Sequence, residues 1–92
     1  MAAASHILLV EDEDGLRELL AEALAQEGHR LDQAAGVAEA LARLSDHVYQ
    51  LVILDLRLPD GEGLEVLRYV QENSPHTQVL VMTGYGTVDT AV

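Results

Sequence analysis

Residues Leu51 to Pro59 read "LVILDLRLP". Four apolar residues run without a break into Asp55, and Arg57 and a Leu-Pro pair follow. An apolar run this dense, bounded by turn residues, reads as a strand buried on both faces. "HILLV" (His6 to Val10) and "QVLVM" (Gln78 to Met82) have the same character. Between these runs the pattern changes to helical spacing. Leu16, Leu19, Leu20, Ala23 and Leu24 predict a first helix, which Gly28 is placed to end. Val37, Ala40, Leu41 and Leu44 predict a second helix. Leu64, Leu67 and Val70 predict a third, ending near Asn73 to Pro75. Arg30 to Ala34 predicts a short, weak strand, "LPDGEG" a loop, and "GTVDTAV" the start of a fourth helix. The order βαβαβαβ(α) implies an α/β fold, a doubly wound parallel sheet with helices on both faces.

The chain has 92 residues, enough for a single domain spanning 1–92. Its hydrophobic content of 49% is too high for a disordered chain. There is no cysteine, which excludes disulfides and thiolate metal sites and fits a cytoplasmic setting. No apolar run approaches the roughly 20 residues that span a bilayer, and the opening "MAAASH" lacks the regions of a signal peptide. The net charge is −11, with five arginines and no lysine. Direct binding to nucleic acid or to an anionic membrane is therefore not expected.

Ligands of doubly wound sheets bind outside the carboxyl ends of the strands, at a topological switch point. The first strand runs into "EDED", beginning with Glu11 and Asp12. The strand of the opening ends in Asp55, and the last strand in Thr83 and Gly84. Taken singly, these residues read as helix-start charges or turn residues. Placed at the ends of three neighbouring buried strands, they read as one site. Three carboxylates in one site repel unless a cation or a proton is present. Oxygen ligands of this kind suit Mg²⁺. Thr83 adds a hydroxyl and Gly84 an accessible main-chain N–H, so metal and a tetrahedral anion can sit together with Asp55 as a nucleophile between them. His6, His29, His47 and His76 show no metal-ligand spacing.

"ILLVEDED", "LVILDLRLPDGEGLEVL" and "VLVMTGYGTVDTAV" resemble, in order and spacing, three motifs of the receiver domain of two-component response regulators. The "MTGYGTVDTAV" stretch is most similar to the NtrC-type branch, which activates transcription. The resemblance implies a flavodoxin-like (CheY-like) sheet of order 2-1-3-4, here lacking the fifth strand, its lysine and the fifth helix. It implies a phosphoacceptor signalling domain rather than an enzyme. Asp55 would accept a phosphoryl group from a histidine kinase or phosphotransfer protein. Asp12 would bind Mg²⁺ directly, Glu11 through water, and the carbonyl of Arg57 would complete the protein ligands. Thr83 and Gly84 would contact the phosphoryl oxygens, and Pro59 and Gly61 would shape the adjoining loop. Arg57 itself is expected to point to solvent.

Two other readings compete. A phosphohydrolase of the haloacid dehalogenase type would want an aspartate two residues after Asp55, where Arg57 stands, and a lysine. A receiver-derived scaffold that self-associates or binds partners without productive phosphorylation is favoured by the absent lysine. Homo-oligomerisation through the edge of the Gln78 to Met82 strand is expected in either receiver reading.

Overall fold

The computed structural model describes residues 5–82. Six strands and three helices follow one another as β1 (His6–Val10), α1 (Asp14–Gln26), β2 (Arg30–Ala34), α2 (Val37–Asp46), β3 (Leu51–Asp55), β4 (Arg57–Leu58), β5 (Gly61–Glu62), α3 (Gly63–Asn73) and β6 (Gln78–Met82). The parallel sheet has the order β2-β1-β3-β6, the expected 2-1-3-4 arrangement of its four long strands. Thr83, Gly84, Tyr85 and the predicted fourth helix lie outside the described residues.

Alternation along the strands builds two cores. Leu8 and Val10 of β1 and Val52 and Leu54 of β3 face one side, where Val37, Ala40 and Leu44 of α2 and Val66 and Val70 of α3 cover them. Ile7, Leu9 and Ile53 face the other, packed by Ala21 with Leu20 and Leu24 of α1. Both faces being apolar, the strands read as continuous hydrophobic runs. The chain steps outward from β1 to β2, then back across β1 to β3. With right-handed crossovers this reversal puts α1 and α2 on opposite faces and makes the β1/β3 boundary the switch point.

Three expectations are corrected. Helix α1 does not bury the whole stripe from Leu16 to Leu24. Leu16 and Leu19 are 40% and 64% exposed, and Ala23 is exposed too, because the helix contacts the sheet through Ala21, Leu20 and Leu24. Helix α3 turns Val66 and Val70 inward and leaves Leu64 exposed. The "LPDGEG" segment is not only a loop. Residues 57–62 form a small antiparallel ribbon in which Arg57 pairs with Glu62 and Leu58 with Gly61. Gly28 does follow the end of α1, at φ 91°, a conformation that costs glycine little, and its N–H donates to the Ala25 carbonyl.

Candidate phosphoryl and metal site

The switch point collects the acidic residues. Glu11 follows β1 directly and is held beside β2 by its N–H, which donates to the Ala34 carbonyl at 3.0 Å. Asp55 ends β3. Carboxylate oxygens of Glu11, Asp12 and Asp55 all lie within 4.8 Å of one another. Glu11 and Asp55 are only 4% and 6% exposed, whereas Asp12 is open to solvent. Two nearly buried carboxylates and one exposed one thus face a single point.

The "EDED" run divides its labour. Glu13 caps α1, its carboxylate accepting from the N–H groups of Gly15 (3.2 Å) and Leu16 (2.5 Å). Asp14 stands in the first helical turn. The helix-start reading therefore holds for Glu13 and Asp14, and the site reading for Glu11 and Asp12. Glu11 Oε2 accepts from the Glu13 N–H at 3.0 Å. Burial pushes the Glu11 carboxyl up from its usual range. The Glu13 N–H opposes that shift, and Asp12 and Asp55 add to it.

Two devices absent from the sequence reading fix this geometry. Arg17 reaches back from α1: Nη1 donates to the Glu11 carbonyl (2.8 Å), Nη2 to Asp14 Oδ1 (2.7 Å) and Nε to Gln33 Oε1 of β2 (3.2 Å). It ties the acidic loop to the neighbouring strand. The i, i+3 spacing to Asp14 was the visible signal, but the Glu11 and Gln33 contacts depend on the β1–β2 pairing. The second device lies beyond Asp55. Its Oδ1 accepts from the Arg57 N–H at 3.0 Å, and Gly63 donates to the Leu56 carbonyl at 2.9 Å. Any side chain at Gly63 would put its Cβ 2.4 Å from the Asp55 carbonyl oxygen. The Arg57 residue is exposed, as expected.

The donor set is all oxygen, anionic and open on one side. That fits Mg²⁺, which takes one or two carboxylates and keeps several waters. Glu11, Asp12 and Asp55 are the residues that can hold it.

A parallel α/β domain with an acidic oxygen cluster at its switch point defines the class of fold and site. The response regulator receiver domain model matches residues 7–92. The chain belongs to that family. It is 40% identical over 85 residues to the response regulator protein PilR of Pseudomonas aeruginosa, covering 92% of this chain and 19% of that one. The response regulator TrrA of Thermotoga maritima, solved in complex with Mg(2+)-BeF, is 38% identical at a TM-score of 0.82, over 89% of this chain and 71% of that one. The beryllofluoride-activated NtrC4 receiver domain dimer is 36% identical at 0.82, over 94% and 71%. The chain spans between a fifth and a half of the length of the curated relatives it matches first. The acidic cluster is positioned as the phosphorylation and Mg²⁺ site of receiver domains.

Proposed function

We propose that Asp55 accepts a phosphoryl group from a phosphohistidine of a partner kinase or phosphotransfer protein. The observation that carries this is the Glu11, Asp12 and Asp55 trio, with oxygens within 4.8 Å at the switch point and Asp55 oriented by the Arg57 N–H. An Asp55 oxygen bonds to phosphorus as the bond from phosphorus to the imidazole nitrogen breaks. The chain's own part is positioning and charge placement, which is most of what phosphoryl transfer needs. Mg²⁺, when bound, supplies neutralisation of the phosphoryl oxygens. Asp12 would hold it directly, with Glu11 and the Arg57 carbonyl completing the protein's share of the site. Thr83 and Gly84 serve the phosphoryl oxygens.

The unit is residues 1–92, a receiver domain of the NtrC-type branch that works in the cytoplasm. The motif "MTGYGTVDTAV" and the similarity to the NtrC4 receiver support the branch. Its output, transcriptional regulation through other parts of a regulator, is part of the same proposal. So is homo-association through the β6 edge.

Acetyl phosphate with Mg²⁺, followed by mass spectrometry, tests the chemistry. One hydroxylamine-sensitive phosphate should appear, and Asp55→Ala should abolish it; modification that survives Asp55→Ala overturns the assignment. The second reading is a scaffold that is not productively phosphorylated. No phosphate on Asp55 at saturating Mg²⁺ would select it.

A further inference from the structure

The β3–α3 connection carries a carboxylate that the phosphoryl chemistry does not use. Asp60 sits at the tip of the β4–β5 ribbon. Its oxygens accept from the N–H of Val37 at 2.7 Å and of Ala38 at 3.0 Å, the first two residues of α2. A helix cannot satisfy these donors internally. Helix α2 has no side-chain cap of its own, because Gly36 stands at its N-cap position. The backbone of Gly36 is extended, with φ −164°, which any residue adopts. Glycine is needed there for another reason: a Cβ would lie 2.6 Å from Asp60 Oδ1. The cap that an ordinary helix takes from its own N-cap residue is supplied by Asp60, 23 and 22 residues beyond the two donors.

The base of the same ribbon is the phosphoryl site. Arg57 begins β4, and its N–H meets Asp55 Oδ1. The pairs Arg57 with Glu62 and Leu58 with Gly61 make tip and base one two-stranded unit. Gly63, which closes that unit, is packed against the Asp55 main chain. A shift of the tip is thus passed to Arg57 rather than absorbed by a slack loop.

We propose that Asp60 is a positioning residue for the phosphoryl site, clamping the ribbon to the N-terminus of α2 and so fixing the Arg57 main chain against Asp55. The N–H groups of Ala38 and Val37 hold the Asp60 carboxyl below the usual carboxylate range, so the clamp is charged at neutral pH. The proposal rests on Asp55 being the phosphoacceptor and on the Arg57 carbonyl being a metal ligand.

Asp60→Ala, Asp60→Asn and Gly36→Ala test it in the whole chain. In the metal-free protein, amide NMR of Asp60→Ala should show Arg57 moving together with Val37 and Ala38. The apparent Mg²⁺ dissociation constant should rise about tenfold, as when an outer support of a metal ligand is lost. The rate with acetyl phosphate at saturating Mg²⁺ should stay within about twofold, since saturating metal restores the ligand geometry. Asp60→Asn keeps one acceptor oxygen and should fall between. Gly36→Ala should reproduce Asp60→Ala with the carboxylate still present, and these two variants carry the test should Asp60→Ala not fold. Movement confined to Val37 and Ala38, with Mg²⁺ affinity unchanged, would make Asp60 a plain helix cap and overturn the proposal. A parent chain that takes no phosphate on Asp55 would instead overturn the functional reading, while the amide shifts still decide the role of Asp60.

Discussion

Glu11 is 4% exposed, close to Asp12 and Asp55, and its carboxyl is pushed up chiefly by burial. Without a cation, its negative charge opposes folding. Glu11→Gln keeps the acceptor for the Glu13 N–H and removes that charge. The variant should therefore be more stable than its parent, by about 1 kcal/mol, without metal, and should bind Mg²⁺ more weakly. Urea melts with and without Mg²⁺ check both signs; unchanged affinity would place Glu11 outside the metal site. Gly63 is constrained differently. A Cβ there meets the Asp55 carbonyl oxygen at 2.4 Å and Leu56 Cα at 2.8 Å, main-chain atoms that cannot rotate aside. Gly63→Ala should cost about 2–3 kcal/mol, read as a fall in Tm.

Between elements, a polar network ties β1, β2 and the segment entering β3 at the end of the sheet away from the site. Asp32 Oδ2 accepts from the Tyr49 hydroxyl at 2.7 Å and lies 2.8 Å from His6 Nε2. The His6 and Tyr49 rings are 4.4 Å apart. The Tyr49 hydroxyl, followed by His6, holds the Asp32 carboxyl below its usual range. Burial, then the hydrogen bond to Asp32 and that carboxylate's charge, pushes the Tyr49 phenol well above its own. Asp32 therefore stabilises the fold fully above the unfolded value of about pH 4, and that contribution is lost as pH falls through the lower folded value. Tyr49 contributes fully below about pH 10, and its share is lost as pH rises through the higher folded value. Urea midpoints across pH should show a plateau falling at both ends. Tyr49→Phe should lower the plateau and flatten the alkaline side. An unchanged alkaline fall in Tyr49→Phe would remove Tyr49 as its cause.

At the scale of the molecule, β6 pairs with β3 and has no second partner among the described residues. Leu80 on β6 is 45% exposed, and Leu16 and Leu19 of α1 are exposed as well. An open apolar strand edge is a template for pairing with another chain. At about 25 cal/mol per Å², covering about 300 Å² contributes about 7 kcal/mol. That only offsets what association costs in lost freedom, so net affinity has to come from main-chain pairing along the edge. If copies pair along this edge, as proposed, sedimentation velocity should show association that rises with concentration, and Leu80→Lys should reduce it without changing Mg²⁺ affinity. A concentration-independent monomer would show that the edge is covered in solution.

Period and composition alone determined the order of the four long strands and three helices, the parallel sheet and the acidic strand ends, because buried strands must be apolar throughout and amphipathic helices must repeat at 3.6 residues. Asp55 was legible only in company: alone it reads as a turn or cap residue, but with Glu11 and Asp12 at the ends of neighbouring buried strands it reads as part of one site. Other features depended on distance in space. Which leucines of α1 and α3 are buried was decided by how each helix sits on the sheet; Ala21 displaced Leu16 and Leu19 there. The ribbon at residues 57–62 was hidden because two-residue strands carry no periodicity. Arg17 reaching Gln33, Tyr49 reaching Asp32 and Asp60 capping α2 join residues 16 to 23 positions apart. No local pattern encodes such contacts. They form only once the packed sheet and helices bring donors and acceptors together, and a buried or helix-end donor must then find a partner.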